Sequence, residues 1–423
     1  MRESLPLAEA RRHVLGRTPA LAAETVAARE ALGRVLAESI DSDRTLPPVD
    51  VSAMDGYAVR REDCAGASID RPVILELAGE IAAGGQPPAT SLSPGAATRI
   101  FTGAPVPPGA DAVVRQEDTR ADGGRVEIHV APEMREHVRD AGEDIRAGDR
   151  VLEAGCVVGP PELGLLASLG RSVVAVHRRP RVAILSGGDE LVEPDRPADR
   201  GQIVSSNSYA LAGQCLEAGA EPIYLGIARD DPGDLRTRLR AGLHADCLVS
   251  SAGVSVGDHD HVRSVLADLG CELEIFGVRI KPGFPMAFGR LRGRELPLIF
   301  GLPGNPVSAM VTFEQFVRPA LRRMQGHRVL TRPVVRARVG EKLQKTAGRA
   351  HLVRVRLEYR NGEYQATPTG NQSSGVLRSM SAADGLLLFP EEATEIKAGA
   401  FADVEVLDVD VLARAPSAGG SPE

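Results

Sequence analysis

A chain of 423 residues is longer than one ordinary hydrophobic core serves, so several domains are expected. With 43% hydrophobic and 25% charged residues it has the composition of a soluble globular protein; a formal charge of −7 and the absence of Trp argue against a polyanion binder or a base-stacking nucleic-acid surface. No apolar run approaches the roughly 18 residues of a bilayer span, the first residues lack a signal peptide's apolar centre, and five cysteines without paired spacing fit a reducing compartment, so the cytoplasm is the expected location.

In residues 5–40 the apolar side chains Leu5, Ala8, Val14 and Leu15, then Leu32, Val35, Leu36 and Ile40, recur at a spacing that predicts helix, broken by Pro6 and Pro19. Pro47 and Pro48 force extended backbone, and Asp55-Gly56 signals a turn before a strand. Taken alone, Asp55 is a turn residue. From Val73 to Val138 short apolar runs alternate with Gly/Pro turns, which predicts a small β-rich insertion. Within it Thr102-Gly103 enters a proline-stiffened loop, which either holds a hydroxyl rigidly or is simply a rigid turn. Pro161 to Gly170 has the Pro and Gly ends that helices prefer.

Between Arg181 and Gly326 three apolar runs end in loops: Ser186-Gly-Gly-Asp-Glu190, Ser251-Ala-Gly-Val-Ser-Val-Gly-Asp-His-Asp260 and Gly301-Leu-Pro-Gly-Asn-Pro306. Helical segments separate them, the pattern of a parallel sheet with crossover helices. Asp231 reads as the cap of one such helix, with Pro232 in its first turn and Asp234 near its dipole. Ser205-Ser-Asn207 reads as the cap of another. From Arg332 the texture returns to strands. The fold class expected is multidomain α/β plus β. Its parts are 1–48 with 144–178 as an N-terminal linker domain, 49–143 as the β-rich insertion, 179–326 as the α/β domain, 327–410 as a β-barrel-like domain, and 411–423 as a disordered tail.

In open α/β sheets ligands bind beyond the carboxyl ends of the strands. There Ser251, Gly253, Ser255 and Gly257 bring hydroxyls and backbone N–H groups toward one point, the physics of an anion loop. The following Asp260 suits a Mg²⁺ bridged to phosphates, because that ion takes one or two carboxylates plus phosphate oxygens. Adjacent Asp189 and Glu190 do not both fit as turn caps, so one faces the cleft. Asn305 reads as a helix cap in a rigid proline turn. Lys281, one of four lysines in an arginine-rich chain, suggests a compact charge on an anion. His259 and His261 have no further zinc ligands at suitable spacing. Neither a Gly-x-Ser-x-Gly elbow nor a P-loop signature occurs. Gly370-Asn-Gln-Ser-Ser-Gly375, with Arg349, Arg354 and Arg378, offers a turn for a small oxyanion or simply a solvated face.

Eight motifs in order resemble the molybdopterin molybdenumtransferase family, which includes the gephyrin E-domain: Ser52-Ala-Met-Asp-Gly-Tyr-Ala58, Thr102-Gly-Ala-Pro105, Gly142-Glu-Asp-Ile145, Ser186-Gly-Gly-Asp-Glu190, Gly253-Val-Ser-Val-Gly257, Lys281-Pro-Gly283, Leu302-Pro-Gly-Asn-Pro306 and Gly370-Asn-Gln-Ser-Ser374. The resemblance implies a three-layer molybdopterin-binding central domain and an elongated homodimer with a site shared between subunits. It implies adenylylated molybdopterin and molybdate as substrates, Mg²⁺ as cofactor, and molybdenum cofactor with AMP as products. By position it makes Asp55, Thr102, Glu190 and Asp260 catalytic, with Glu190 and Asp260 on the metal. It assigns substrate contacts to Asp144, Asp230, Ser251, Gly253, Ser255, Gly257, Lys281, Pro303, Pro306, Arg354 and Ser374. Neither a nucleic acid nor a membrane is an implied partner. The family usually has Lys where Phe284 stands, glycine at Ala252 and Thr at Gly187. The alternatives are the related adenylyltransferase, usually the central domain alone, and a non-catalytic scaffold.

Overall fold

The computed structural model describes residues 1–86, 89–251 and 261–413. The chain divides into two compact units: one holds residues 1–37, 155–159 and 173–423, the other 38–154 and 160–172.

The larger unit is built on a seven-stranded sheet. Its spatial order is Arg2–Leu5, Cys271–Val278, Ala287–Leu291, Leu298–Leu302, Cys247–Ser251, Arg181–Gly187 and Glu221–Ala228. The last four run parallel, as expected. Ala287–Leu291 runs antiparallel to both neighbours. The segments 279–286 and 292–297 that flank it are shorter than the dozen or so residues a parallel crossover needs.

Alternate side chains of the central strands go to opposite faces. Val182, Ile184, Val249 and Phe300 pack under the helix Asn207–Glu217 and the segment 306–324. Ala183, Leu185, Leu248 and Ile299 pack under the helices Pro232–Gly242 and His261–Asp268. This makes three layers, and strands covered on both faces read as unbroken apolar runs. Each such buried side chain contributes roughly 1.5–3 kcal/mol. Segment 306–324 starts as helix at Pro306–Thr312, widens to a π turn at Phe313–Val317 and resumes at Arg318–Met324. Pro319 explains the widening: its ring would clash with the carbonyl four residues back, and the extra residue per turn relieves that.

Residues 5–40 are not helical throughout. Only Leu7–Gly16 is α-helix, and Ala23–Ala27 is a strand antiparallel to Val173–His177. Gly33 has φ +75°, and the Leu36 N–H donates to the Cys156 carbonyl at 2.9 Å. The apolar residues there are buried by an extended chain, and their helix-like spacing is coincidental. Arg2–Leu5, with one buried residue, joins the sheet edge parallel to Cys271–Val278.

The smaller unit has a six-stranded sheet in the order Ala112–Arg115, Gly56–Val59, Ala96–Ile100, Val73–Ile81, Arg125–Ile128, Thr119–Asp122. Tyr57, Val59, Leu75, Val114, Val126 and Ile128 form its core. Gly56 must be glycine, because a Cβ there would lie 2.0 Å from the Val114 carbonyl oxygen.

Within the larger unit the C-terminal strands close into a five-stranded barrel. Ala350–Arg360 pairs with Glu363–Pro368 and with Gly385–Phe389; Val334–Val339 and Phe401–Val406 complete the ring. Ile280–Lys281 adds to this barrel in parallel with Ala350–Arg360. Past the barrel, Asp410–Ala413 forms a helical turn at the start of the expected disordered tail.

Candidate active site

The parallel strands end in register: Ser186 lies beside Ser251, Ser251 beside Leu302, and Gly187 beside Ala228. Their outgoing loops therefore open on one side. A cavity of about 460 Å³ lies there, lined by Gly187, Glu190, Ser205, Ser206, Asn207, Ser251, Pro285 and the run Pro303–Pro306, with Leu191, Ile203 and Val204 as an apolar wall. Of the expected site residues, Glu190, Ser251, Pro303 and Pro306 meet in it. Gly253, Ser255, Gly257 and Asp260, with the non-family Ala252 and the expected non-ligand His259, lie outside the described residues.

Buried Ser251 lines the cavity, and wholly buried Ser186 lies behind it: the two hydroxyl oxygens are 3.3 Å apart, with exposures of 2% and 0%. Glu190 is exposed, and its carboxylate folds back over Gly188. Gly188 has φ +136°, where a side chain is strained in any case. The neighbouring acids brace the loops. The Asp189 N–H donates to the Asp230 carboxylate at 3.4 Å, and the Asp230 N–H to the Asp189 carboxylate at 3.3 Å. Asp231 caps its helix, accepting from the Asp234 N–H at 2.7 Å. The Arg229 N–H, then Arg238, hold the Asp234 carboxyl below the usual range.

Asn207 stood out in the sequence only as a cap. Its amide donates to the Gly304 carbonyl at 2.7 Å, fixing the proline turn, while its side-chain oxygen is buried without a partner among the described residues. Ser206 takes the N-cap position of that helix without a side-chain cap bond. Asn305 likewise takes the N-cap position of Pro306–Thr312 but makes no side-chain cap bond. The wall comes from a short parallel pair, Leu191–Val192 with Ile203–Val204, too brief for any periodicity to announce it. Its base is held by Glu193, whose carboxylate accepts from Tyr224 at 2.7 Å and Tyr209 at 3.4 Å.

The loop Gly370–Gly375 lies against the start of the Pro306 helix: the Val307 N–H donates to the Ser374 carbonyl at 3.1 Å. Beneath it Arg354 is wholly buried. Its Nε donates to the Ser379 hydroxyl at 2.9 Å, and its Nη2 to the Asn371 and Ser373 carbonyls at 3.4 and 3.3 Å. Nε and Nη2 thus hold the loop from within, while Nη1 is buried with no partner among the described residues. Lys281 is exposed and lines a different cavity.

Asp55, Thr102 and Asp144 belong to the smaller unit. Asp55 and Thr102 come together: the Thr102 N–H and hydroxyl donate to one Asp55 oxygen at 2.8 and 2.9 Å. These bonds hold the Asp55 carboxyl below its usual range. Asp144 is exposed in a turn, its N–H donating to the Leu46 carbonyl at 3.1 Å.

Among the described residues no three His, Cys, Asp or Glu side chains group as a metal site. A single cavity carboxylate, Glu190, still fits Mg²⁺ carried mainly by phosphate oxygens.

Residues 5–170 match the MoeA N-terminal region (domain I and II), 183–323 the probable molybdopterin binding domain, and 336–407 the MoeA C-terminal region (domain IV). A molybdopterin molybdenumtransferase of a Nostoc species is 42% identical over 90% of this chain and 87% of its own. Molybdopterin molybdenumtransferase 2 of Mycobacterium tuberculosis is 39% identical over 89% and 93%. A crystal structure of a molybdopterin biosynthesis moeA protein from Pyrococcus horikoshii superposes with a TM-score of 0.82 at 33% identity, covering 95% of this chain and 99% of that one. Sequence, domain order and fold agree: the chain belongs to the molybdopterin molybdenumtransferase family.

Proposed function

We propose that this chain inserts molybdenum from molybdate into adenylylated molybdopterin and releases AMP. The observation that carries this reading is the strand-end cavity, where one carboxylate, Ser205, Ser206 and Ser251 and a rigid proline turn converge on a space sized for a nucleotide-linked ligand. The dithiolene sulfurs of the substrate bind the metal, so the protein needs no strong nucleophile. Its task is to hold two anions together, orient them and assist cleavage of the phosphoanhydride. Ser251 and the Asn207 oxygen supply polar contacts. Pro303 and Pro306 fix the floor. The Asp189–Asp230 pair holds the adjoining loops in place, and Arg354 holds the 370–375 loop that presents Ser374.

Mg²⁺, when bound, neutralises phosphate charge; Glu190 is the residue that would hold it, with Asp260 as the second carboxylate. Asp55 and Thr102, paired in the smaller unit, are proposed to reach the site from the second subunit of a homodimer, and Asp144 to join them. Five free cysteines and the absence, among the described residues, of a helix able to cross a membrane support a cytoplasmic enzyme. The test is incubation with adenylylated molybdopterin with and without molybdate. Molybdate-dependent AMP release is expected; formation of adenylylated molybdopterin from ATP, or no turnover, would overturn the reading.

A further inference from the structure

Asp55 and Thr102 are exposed residues on separate segments, one just before the strand Gly56–Val59 and the other just after Ala96–Ile100. Exposed hydrogen bonds between them contribute little rigidity alone, and Arg99 supplies the rest. It stands across from Tyr57 in the antiparallel register. Its guanidinium lies 4.9 Å from the centre of the Tyr57 ring and 5.0 Å from that of Phe101. Tyr57 follows Asp55 by two positions and Phe101 directly precedes Thr102, so one cation rests on rings from both segments. Its Nη1 donates to the Gly56 carbonyl at 3.4 Å, and its Nη2 to the Gln116 side-chain oxygen at 2.7 Å. The Gln116 N–H in turn donates to the Asp55 carbonyl at 3.0 Å. The consecutive carbonyls of Asp55 and Gly56 are thus tied to Arg99, one through Gln116 and one directly. Among the described residues Arg99 forms no ion pair, although Glu80 is its neighbour in the parallel register. Its charge acts on Asp55: after the two Thr102 bonds, it helps to hold that carboxyl below its usual range.

We propose that Arg99 is a positioning residue for the transfer reaction: its guanidinium fixes the Asp55 turn against Phe101 and Thr102, so that the carboxylate meets the substrate already oriented. The inference rests on the proposed reaction and on the part of Asp55 in it. A carboxylate aimed before the substrate arrives spends no binding energy on being ordered, and small misplacements of such a group cost rate. A lysine at this position keeps the charge but loses the planar fork, which makes two directed bonds while lying against aromatic rings.

The experiment compares the full chain as wild type, Arg99→Met, Arg99→Lys and Gln116→Leu, by peptide-resolved hydrogen–deuterium exchange and by steady-state molybdate-dependent AMP release. In Arg99→Met the amides of Thr102 and Gln116, both bonded to Asp55, should exchange about tenfold faster. Its kcat should fall about tenfold or more while KM stays within about twofold. Arg99→Lys should fall with Arg99→Met, and Gln116→Leu should show a smaller loss of the same kind. Exchange in Val73–Ile81 and Arg125–Ile128 verifies that the sheet is folded; if Arg99→Met disturbs it, Arg99→Lys and Gln116→Leu carry the comparison. Wild-type kcat in folded Arg99→Met, wild-type kcat in Arg99→Lys, or unchanged exchange at Thr102 and Gln116 would overturn the inference while leaving the proposed reaction standing. Absence of AMP release from the wild type would instead remove the reaction, and this inference with it.

Discussion

Replacing Arg354 by Met keeps most of the side-chain volume and removes its charge and donors. Wild type has three bonds from the guanidinium: one of 2.9 Å to Ser379 and two of 3.3–3.4 Å to the Ser373 and Asn371 carbonyls. Bonds to a charged group are each worth about 1.5–3 kcal/mol. The two long ones belong at or below that lower bound. Against them stands burial of an unpaired cation, which lowers the Arg354 pKa. Global stability should therefore change little, as when buried charges are replaced by apolar groups. The loop is a different matter. Without the fork, residues 371–373 should open more easily by about 2 kcal/mol, an increase of roughly 30-fold in amide exchange. The Val307 amide, bound to Ser374, should follow. Hydrogen–deuterium exchange resolved by peptide measures both regions. Unchanged exchange at 371–374 and 307 would refute the view that Arg354 acts by holding the loop.

Asp231→Ala removes the cap of helix Pro232–Gly242 and should ease opening of its first turn by about 1 kcal/mol, visible as faster amide exchange there; unchanged exchange would count against the cap. Gly56→Ala places a methyl against the Val114 carbonyl, and should cost about 3 kcal/mol or more in the smaller unit; wild-type protease resistance of that unit would contradict this. Burial, with the nearby cations, pushes the His351 pKa down to about 4, below the ordinary value of 6.5. The unfolded chain therefore takes up its proton first as pH falls, and stability present above about pH 6.5 is lost toward pH 4. At pH 4.5 the loss from this group is about 2.5 kcal/mol. Denaturation of wild type and His351→Leu at pH 7 and 4.5 isolates it; an identical acid loss in both would refute the assignment.

The elements legible in the sequence were those buried on both sides. Arg181–Gly187, Cys247–Ser251 and Leu298–Leu302 read as unbroken apolar runs because helices cover both faces. Asp231-Pro232 announced its helix because capping is local chemistry. Residues 17–40 misled because an extended chain can bury side chains at helix-like intervals when two partners flank it. Arg2–Leu5 gave no signal because an edge strand with one buried residue has no pattern. In the site, the loop acids and glycines could be read, but their division of labour could not. Asp189 and Asp230 spend N–H and carboxylate on each other, while Glu190 reaches the cavity. The buried position of Arg354 depends on contacts far apart in the chain, which spacing does not encode.

The central claim is that the Glu190 cavity is where molybdenum is transferred. The most direct measurement is molybdate-dependent AMP release by Glu190→Gln beside wild type, with circular dichroism to verify folding. A loss on the order of 100-fold with an unchanged fold is predicted. Release at the wild-type rate would contradict the account.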